Sequence, residues 1–241
     1  DLFSFCPVRH EGSAAVGLSC HLVIGCSGRL ARKAAGARAE YNAAAADAEA
    51  ALAEWHTLTG RTHDTTLAMA LASSSTALAQ LVGALGAASA PTAANGCARP
   101  SAGAGARARI AARVEQFALE SNELAPAALR ALADGDMRAL GVLAAHSHLA
   151  GDSALGNQVG ETRALVALAR TLGAHAASAF GAGFGGAVWA WVDAAGADTF
   201  AREWARAYAA EPGVSREAVA LSAFFATPLG PGAFELSPVV L

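Results

Sequence analysis

The feature that most constrains this chain is a run of glycines between two segments typical of β-strands. Glycine occupies four of the six positions from Gly181 to Gly186, with small and apolar residues at 176–180 before it and at 187–192 after it. Glycine lacks a β-carbon, so its backbone can take positive φ angles and approach another group closely. The pattern predicts a tight strand–loop–strand hairpin. Two interpretations of the glycines stay open. They allow an anion or another backbone segment to come close to the loop, or they only relieve crowding within the hairpin.

Two nucleotide-binding motifs can be excluded for this segment. Residues 181–186 formally read G-x-G-x-x-G, but the dinucleotide-binding fold needs a helix directly after the glycines, and 188–192 is strand-like. A Walker loop needs a lysine after a glycine, and the single lysine, Lys33, lies in a different part of the chain. The hairpin interpretation therefore stands without either motif.

Most of the remaining chain predicts helix. Residues 1–28 are expected to be extended, with a strand at Cys20–Cys26. Apolar residues at helical spacing and helix-ending glycines define the other elements. We expect helices at 30–56 (ended near Gly60), at 65–85, within 108–148 (divided near 125–126 and at 134–136), at 161–172 (ended by Gly173), and around Phe200, Trp204 and Tyr208 (capped by Asp198 or Thr199).

Composition limits how much core this chain can build. Hydrophobic residues make up 54%, but alanine supplies much of that share and only 6% are aromatic. We therefore expect burial to depend on a few large side chains, which are Phe180, Trp189, Trp191, Phe200 and Trp204. The predicted fold class is α+β, with a small antiparallel sheet and helices packed on one face of it.

Several classes of function are disfavoured. A net charge of −3 offers no basic surface for nucleic acid. The uncharged stretches 65–98 and 174–192 are too polar or too rich in glycine to span a membrane. The cysteines lack metal-site spacing, which favours reduced thiols in the cytoplasm, and His146 and His148 point about 200° apart on a helix. No metal site and no catalytic nucleophile–base pair is predicted.

The glycine segment resembles the third motif of the GHMP small-molecule kinases. Ser178–Gly186, followed by a Val/Trp strand, is most similar to the galactokinase branch of that superfamily, whose preceding helix carries an acidic residue and ends in Gly-Ala, like 161–174 here. Three further segments resemble the same family in the same order. They are 3–10 with the strand at 21–27, Glu40-Tyr41-Asn42 at the start of the alanine-rich helix, and 133–136 with the helix through 146–148.

The resemblance implies that the chain corresponds to the C-terminal half of such a kinase. The family's sugar motif, its Gly-x-Ser-Ser-Ser nucleotide loop and its catalytic aspartate precede this region and have no counterpart in the sequence. Residues 1–30 would then be the end of the N-terminal lobe, and 31–241 would be the C-terminal lobe. The low-complexity stretch 86–107 departs from the family pattern and is interpreted as a flexible insertion.

The implied function is an ATP-dependent sugar 1-kinase of the galactokinase type, which uses Mg²⁺ and needs its N-terminal half for activity. Its expected partners are a monosaccharide, ATP and that missing half, and its expected location is cytoplasmic. The alternative is a non-catalytic sugar-sensing or regulatory protein that reuses the same lobe. The resemblance assigns substrate binding to Tyr41, Gly181 and Gly183, the glycine-rich motif to Ser178, Gly181, Gly183, Gly185 and Gly186, and no catalytic residue to this chain.

Overall fold

The computed structural model describes residues 20–31, 38–86 and 105–228, without the side chains of 38–41. The segment 3–10 and most of the proposed insertion 86–107 lie outside these ranges. The strands are β1 (Cys20–Cys26), β2 (Ala176–Ala179), β3 (Ala187–Asp193) and β4 (Ala223–Thr227). The helices are α1 (Arg38–Thr59), α2 (Leu67–Ala72), α3 (Ala77–Leu85), α4 (Ala106–Leu119), α5 (Ala125–Asp134), α6 (Met137–Leu155), α7 (Gly160–Thr171), α8 (Ala197–Ala210) and α9 (Arg216–Leu221).

The four strands form one antiparallel sheet in the order β2-β3-β1-β4. The two strands that flank the glycines are hydrogen-bonded neighbours, with Ala177 opposite Ala190. The predicted hairpin and the predicted α+β class are therefore confirmed. The chain's first described strand, β1, lies in the middle of the sheet, so residues distant in sequence share one hydrogen-bonded ladder.

Helices cover both faces of the sheet, and the prediction that they pack on one face only is wrong. Alternate residues of β3 (Val188, Ala190 and Val192) are buried in a core shared with α7 and α8. The residues between them, Trp189 and Trp191, pack against the core of α5 and α6. Both sets are apolar, so each face of the strand needs a helical cover.

Helix α8 supplies the largest part of the core through the predicted stripe. Phe200, Trp204 and Tyr208 are buried, and the Trp204 indole donates a hydrogen bond of 3.0 Å to the Leu165 carbonyl. The predicted cap at Asp198 or Thr199 is wrong, because a 3₁₀ turn at Ala194–Gly196 leads directly into the helix. Phe180 was also expected in the core, but it is 47% exposed because it stands where β2 gives way to the loop.

Helices α1 to α4 enclose a second core around Trp55 and Leu81. The single helix predicted at 65–85 is two helices, since four Ser and Thr residues at 73–76, whose side chains compete for backbone hydrogen bonds, separate α2 from α3. The helix start predicted at Leu30 is wrong, because 29–31 run alongside the glycine loop without helical structure. Gly60 ends α1 as predicted, with a φ of +72°.

The chain from α4 to α5 stays helical through a π-helical turn at Glu120–Leu124. The division predicted near 125–126 is nevertheless confirmed, because α5 begins at Ala125 and Pro126 lies in its first turn, where a missing N–H is tolerated. The break at 134–136 is confirmed, with Gly135 left-handed at φ +70°. Within the described ranges, no helix has both the length and the apolar character that crossing a bilayer requires.

Candidate functional site

The glycine loop is a short, tightly folded turn at the end of the β2–β3 hairpin. Phe180 N–H donates to the Ala187 carbonyl at 2.9 Å and closes the hairpin. All four glycines have positive φ angles, which range from +61° to +122°, and so does Phe184 at +61°. Side chains with a β-carbon adopt such angles at a cost, so the backbone path itself favours glycine.

One side of the loop is held by the chain that leaves β1. Gly186 N–H donates to the Arg29 carbonyl at 2.8 Å, and the Ser27 hydroxyl donates to the Gly186 carbonyl at 2.7 Å. Ser27 is fully buried, so this hydroxyl is committed to the loop. A β-carbon on Gly185 would lie 2.7 Å from the Arg29 carbonyl oxygen, closer than the two atoms can pack.

The other side of the loop is held by Asn157, in the connection between α6 and α7. Phe184 N–H donates to the Asn157 carbonyl at 2.6 Å, and the Asn157 amide donates to the Ala182 carbonyl at 3.3 Å. A β-carbon on Gly183 would overlap the Asn157 carbonyl. The loop is therefore clamped between two backbone segments, and the close approach at Gly183 and Gly185 is made to the chain's own carbonyls.

A buried polar network holds the Asn157 side chain. The Gln158 amide donates to the Asn157 side-chain oxygen at 3.0 Å, and the Thr162 hydroxyl lies 3.0 Å from the Gln158 oxygen. Next to Thr162, the half-exposed Arg163 makes a separate bidentate contact with the buried Asp152, with both distances 2.7 Å. Buried polar groups that are fully paired specify one geometry, so the network fixes the clamp.

The exposed tip of the loop, Gly181 and Ala182, is the part left for a ligand. Both residues are exposed, and a β-carbon on Gly181 would have no neighbouring atom within 4 Å. Helix α7 starts at Gly160, just after the Asn157 clamp, so its positive end lies near the loop. Backbone amides at a turn beside a helix N-terminus suit an anionic group.

Tyr208 ties the core of α8 to the same region. Its hydroxyl donates to the Ser27 carbonyl at 2.7 Å, although the residue is completely buried. Burial, with a smaller contribution from the Glu161 carboxylate, raises the pKa of Tyr208 to about 12. Glu161 also lies 3.7 Å from the guanidinium of Arg29, whose side chain is mostly exposed.

The other residues named from the sequence are placed less directly. Ser178 lies within β2 opposite Trp189, outside the loop itself. Tyr41 lies in the first turn of α1, and the structure does not describe its side chain. His146 is exposed while His148 is buried, so the two do diverge, and burial lowers the pKa of His148.

The comparison with known protein families covers the loop and its Asn157 support, but not Ser27 and Arg29. Residues 128–210 match the family model described as "GHMP kinases C terminal". This segment is a GHMP kinase C-terminal domain. The matched segment begins within α5 and ends with α8. It contains both strands of the β2–β3 hairpin, the glycine loop between them and the Asn157 network.

The fold around the GHMP kinase C-terminal domain is also found in a solved structure. The chain is similar to the crystal structure of Lactococcus lactis galactokinase complexed with galactose, with a TM-score of 0.64 and 20% identity. The likeness covers 90% of this chain and 47% of that chain, so this chain spans about half the length of the galactokinase. No curated protein matches the sequence.

Sequence reasoning found the loop of the GHMP kinase C-terminal domain but missed what holds it. Ser27 and Asn157 are polar, buried and far from the glycines in sequence. One signal was present for Asn157, since Gly156-Asn157-Gln158 is a polar break between two helical patterns. No pattern in the sequence distinguishes Ser27 from an ordinary turn serine.

Proposed function

We propose that this chain supplies the C-terminal portion of an ATP-dependent sugar 1-kinase of the galactokinase type. The reaction is ATP + galactose to galactose 1-phosphate + ADP, carried out in the cytoplasm. The observation that carries the proposal is the clamped glycine hairpin within a GHMP kinase C-terminal domain, in a fold shared with a galactokinase that was crystallised with galactose.

In this proposal the loop positions groups and does not itself react. The anomeric hydroxyl oxygen forms a bond to the γ-phosphorus, the bond from that phosphorus to the bridging oxygen of ADP breaks, and the hydroxyl proton leaves to a base. Phosphoryl transfer depends mainly on positioning and charge stabilisation. The Gly181–Ala182 tip would contribute backbone amides, and its clamp would keep them oriented without reorganisation during the reaction.

The base and the Mg²⁺ ligands are expected on the partner half of the protein. Near the loop the described residues supply backbone groups and the carboxylate of Glu161, which faces Arg29. Mg²⁺ prefers several oxygen ligands and water, so this set does not fit a magnesium site. Tyr41 and Gly181 remain the proposed direct contacts with substrate. Gly183, which is buried against the Asn157 carbonyl, is proposed to contribute by shaping the tip, and Ser178, Gly185 and Gly186 remain the rest of the proposed motif.

The test is an assay of the complete gene product. ADP release would be measured with ATP and Mg²⁺ in the presence of galactose, and then with a panel of other monosaccharides. We expect turnover that depends on both ATP and sugar, strongest with galactose. Turnover with a different sugar and none with galactose would change the proposed substrate but would leave the proposed kinase activity in place. Sugar binding without any phosphorylation would overturn the kinase proposal and favour the sugar-sensing alternative.

A further inference from the structure

Three side chains from three neighbouring strand positions meet at the end of the sheet. Cys20 begins β1 and lies directly opposite Asp193, the last residue of β3. His175 immediately precedes β2, and its backbone N–H bonds to the Trp191 carbonyl at 2.8 Å. One ligand atom from each of the three side chains, a sulfur, a ring nitrogen and a carboxylate oxygen, lies within 4.8 Å of the other two.

The three side chains are arranged from the interior to solvent. Cys20 is 3% exposed, the His175 side chain 33% and the Asp193 side chain 76%. An ion could therefore enter from the Asp193 side and reach the sulfur. A reactive cysteine, in contrast, needs its sulfur open to a larger substrate, so the same burial disfavours a nucleophilic role.

We propose that Cys20, His175 and Asp193 bind Zn²⁺ through three protein ligands, with the fourth position open to solvent. Zinc is bound in proteins by thiolate, imidazole and carboxylate, at about 2.0–2.3 Å from each donor atom. Donor atoms around one zinc ion are then roughly 3–4 Å apart, close to the separation already present here. His175 Nε2 and Asp193 Oδ1 stand 2.8 Å apart and would spread slightly to admit the ion.

The identity of the donors selects the cation. Mg²⁺ and Ca²⁺ are bound by oxygen, whereas a thiolate and an imidazole favour zinc and other softer divalent ions. The site is also remote from the glycine loop, because the two lie at opposite ends of β3, about 20 Å apart at the rise of a strand. The proposal therefore does not depend on the kinase function or on its magnesium.

Binding of the ion is expected to hold neighbouring strands of the sheet together. Cys20 lies on β1, Asp193 on β3 and His175 at the start of β2, so one ion would join three adjacent strands. Binding to the folded protein alone raises its stability by mass action. The sequence could not reveal this site, because its members come from separate strands and share no ligand spacing.

The experiment is a titration of the metal-free full chain with Co²⁺, a coloured substitute for Zn²⁺. We expect a thiolate-to-cobalt charge-transfer band and the visible bands of tetrahedral cobalt, both displaced by Zn²⁺ but not by Mg²⁺. Cys20→Ser should abolish the thiolate band. His175→Gln and Asp193→Asn should each weaken cobalt binding by at least about tenfold. Cys26→Ser, at the other end of the same strand, is the matched control and should bind like the wild type.

A second measurement protects the test from variants that fold poorly. Zn²⁺ should raise the Tm of the wild type and of Cys26→Ser, and should leave the Tm of Cys20→Ser unchanged. The proposal is overturned if the wild type shows no thiolate band, or if Cys20→Ser and the wild type give the same spectra and the same Tm response.

Discussion

At the scale of single residues, the hairpin contains two kinds of glycine. Gly183 has a positive φ and faces the Asn157 carbonyl, whereas Gly181 has a positive φ and open space around it. The first needs glycine for its backbone angle and for its contact, and the second for its angle alone. This difference can be measured.

Gly183→Ala should destabilise the protein more than Gly181→Ala. The left-handed angle costs an alanine about 1–2 kcal/mol at either position. At Gly183 the new methyl group also displaces the Asn157 clamp, for which overpacking adds roughly 1–3 kcal/mol. Urea unfolding of both variants provides the measurement, with Gly181→Ala as the matched control. Equal losses of unfolding free energy in the two variants would show that the segment at Asn157 moves to accept the methyl group at no cost in stability.

Tyr208→Phe should remove a buried hydrogen bond, and it should also make the stability of the folded protein less sensitive to high pH. Loss of the bond to the Ser27 carbonyl should cost about 0.5–1.5 kcal/mol at neutral pH. The pKa of Tyr208 is about 12 in the folded chain, above about 10 in an unfolded one, so its stabilisation is complete below pH 10 and is lost as the pH rises to 12.

The measurement for Tyr208 is stability against pH by denaturant unfolding. Between pH 10 and 12 the wild type should lose more stability than Tyr208→Phe, so that the two curves converge. Parallel curves over this range would contradict the burial of an un-ionised phenol.

At the scale of elements, the turn from α1 into α2 depends on one carboxylate. Asp64 is buried, accepts a hydrogen bond from the Trp55 indole at 2.9 Å, and accepts another from Arg61 at 2.8 Å. Arg61 first, and Trp55 second, lower the pKa of Asp64 to about 2. The carboxylate thus holds the connection between α1 and α2 against Trp55 near the end of α1.

Asp64→Asn should make the chain less stable at neutral pH and less sensitive to acid. The folded pKa of about 2 lies below the unfolded value of about 4, so the wild-type stabilisation is present above pH 4 and is lost as the pH falls to 2. The measurement is Tm across this range. Glu49→Gln removes an exposed carboxylate on α1; it is the control and should follow the wild type. An identical acid profile for Asp64→Asn would refute the pairing.

At the scale of the whole molecule, the described residues form a sheet with helices on both faces and a separate helical core. The loop tip projects from this body, with Phe180 exposed beside it. If the proposed kinase function holds, this tip contacts ligand in the complete protein. Its environment should then change when substrates bind, while distant parts of the sheet should not change.

Hydrogen exchange of the complete gene product tests this expectation. Adding galactose with a nonhydrolysable ATP analogue should slow amide exchange at 180–183 by at least about tenfold. The β1–β4 pairing, for example Ile24 opposite Phe225, serves as the internal reference and should exchange at an unchanged rate. Unchanged exchange at the tip, despite measured ligand binding, would remove the loop from the proposed site.

The sequence by itself determined the local structure around its strongest signals. Four glycines between strand-like residues dictated the hairpin, and the four-residue spacing of Phe200, Trp204 and Tyr208 dictated a buried helical face. Both patterns involve residues that lie within a few positions of one another in the sequence. The same local reasoning failed where the outcome depended on distant partners, as at 29–31, whose backbone is used to hold the loop instead of starting a helix.

Only the tertiary structure decided what the glycines approach and which polar residues act together. Ser27, Asn157 and the loop are brought together by the central position of β1 and by the connection between α6 and α7, and Cys20, His175 and Asp193 meet through the same strand order. The physical reason is that a local pattern fixes backbone conformation, whereas the pairing of strands and the burial of polar groups are settled only when separate segments pack.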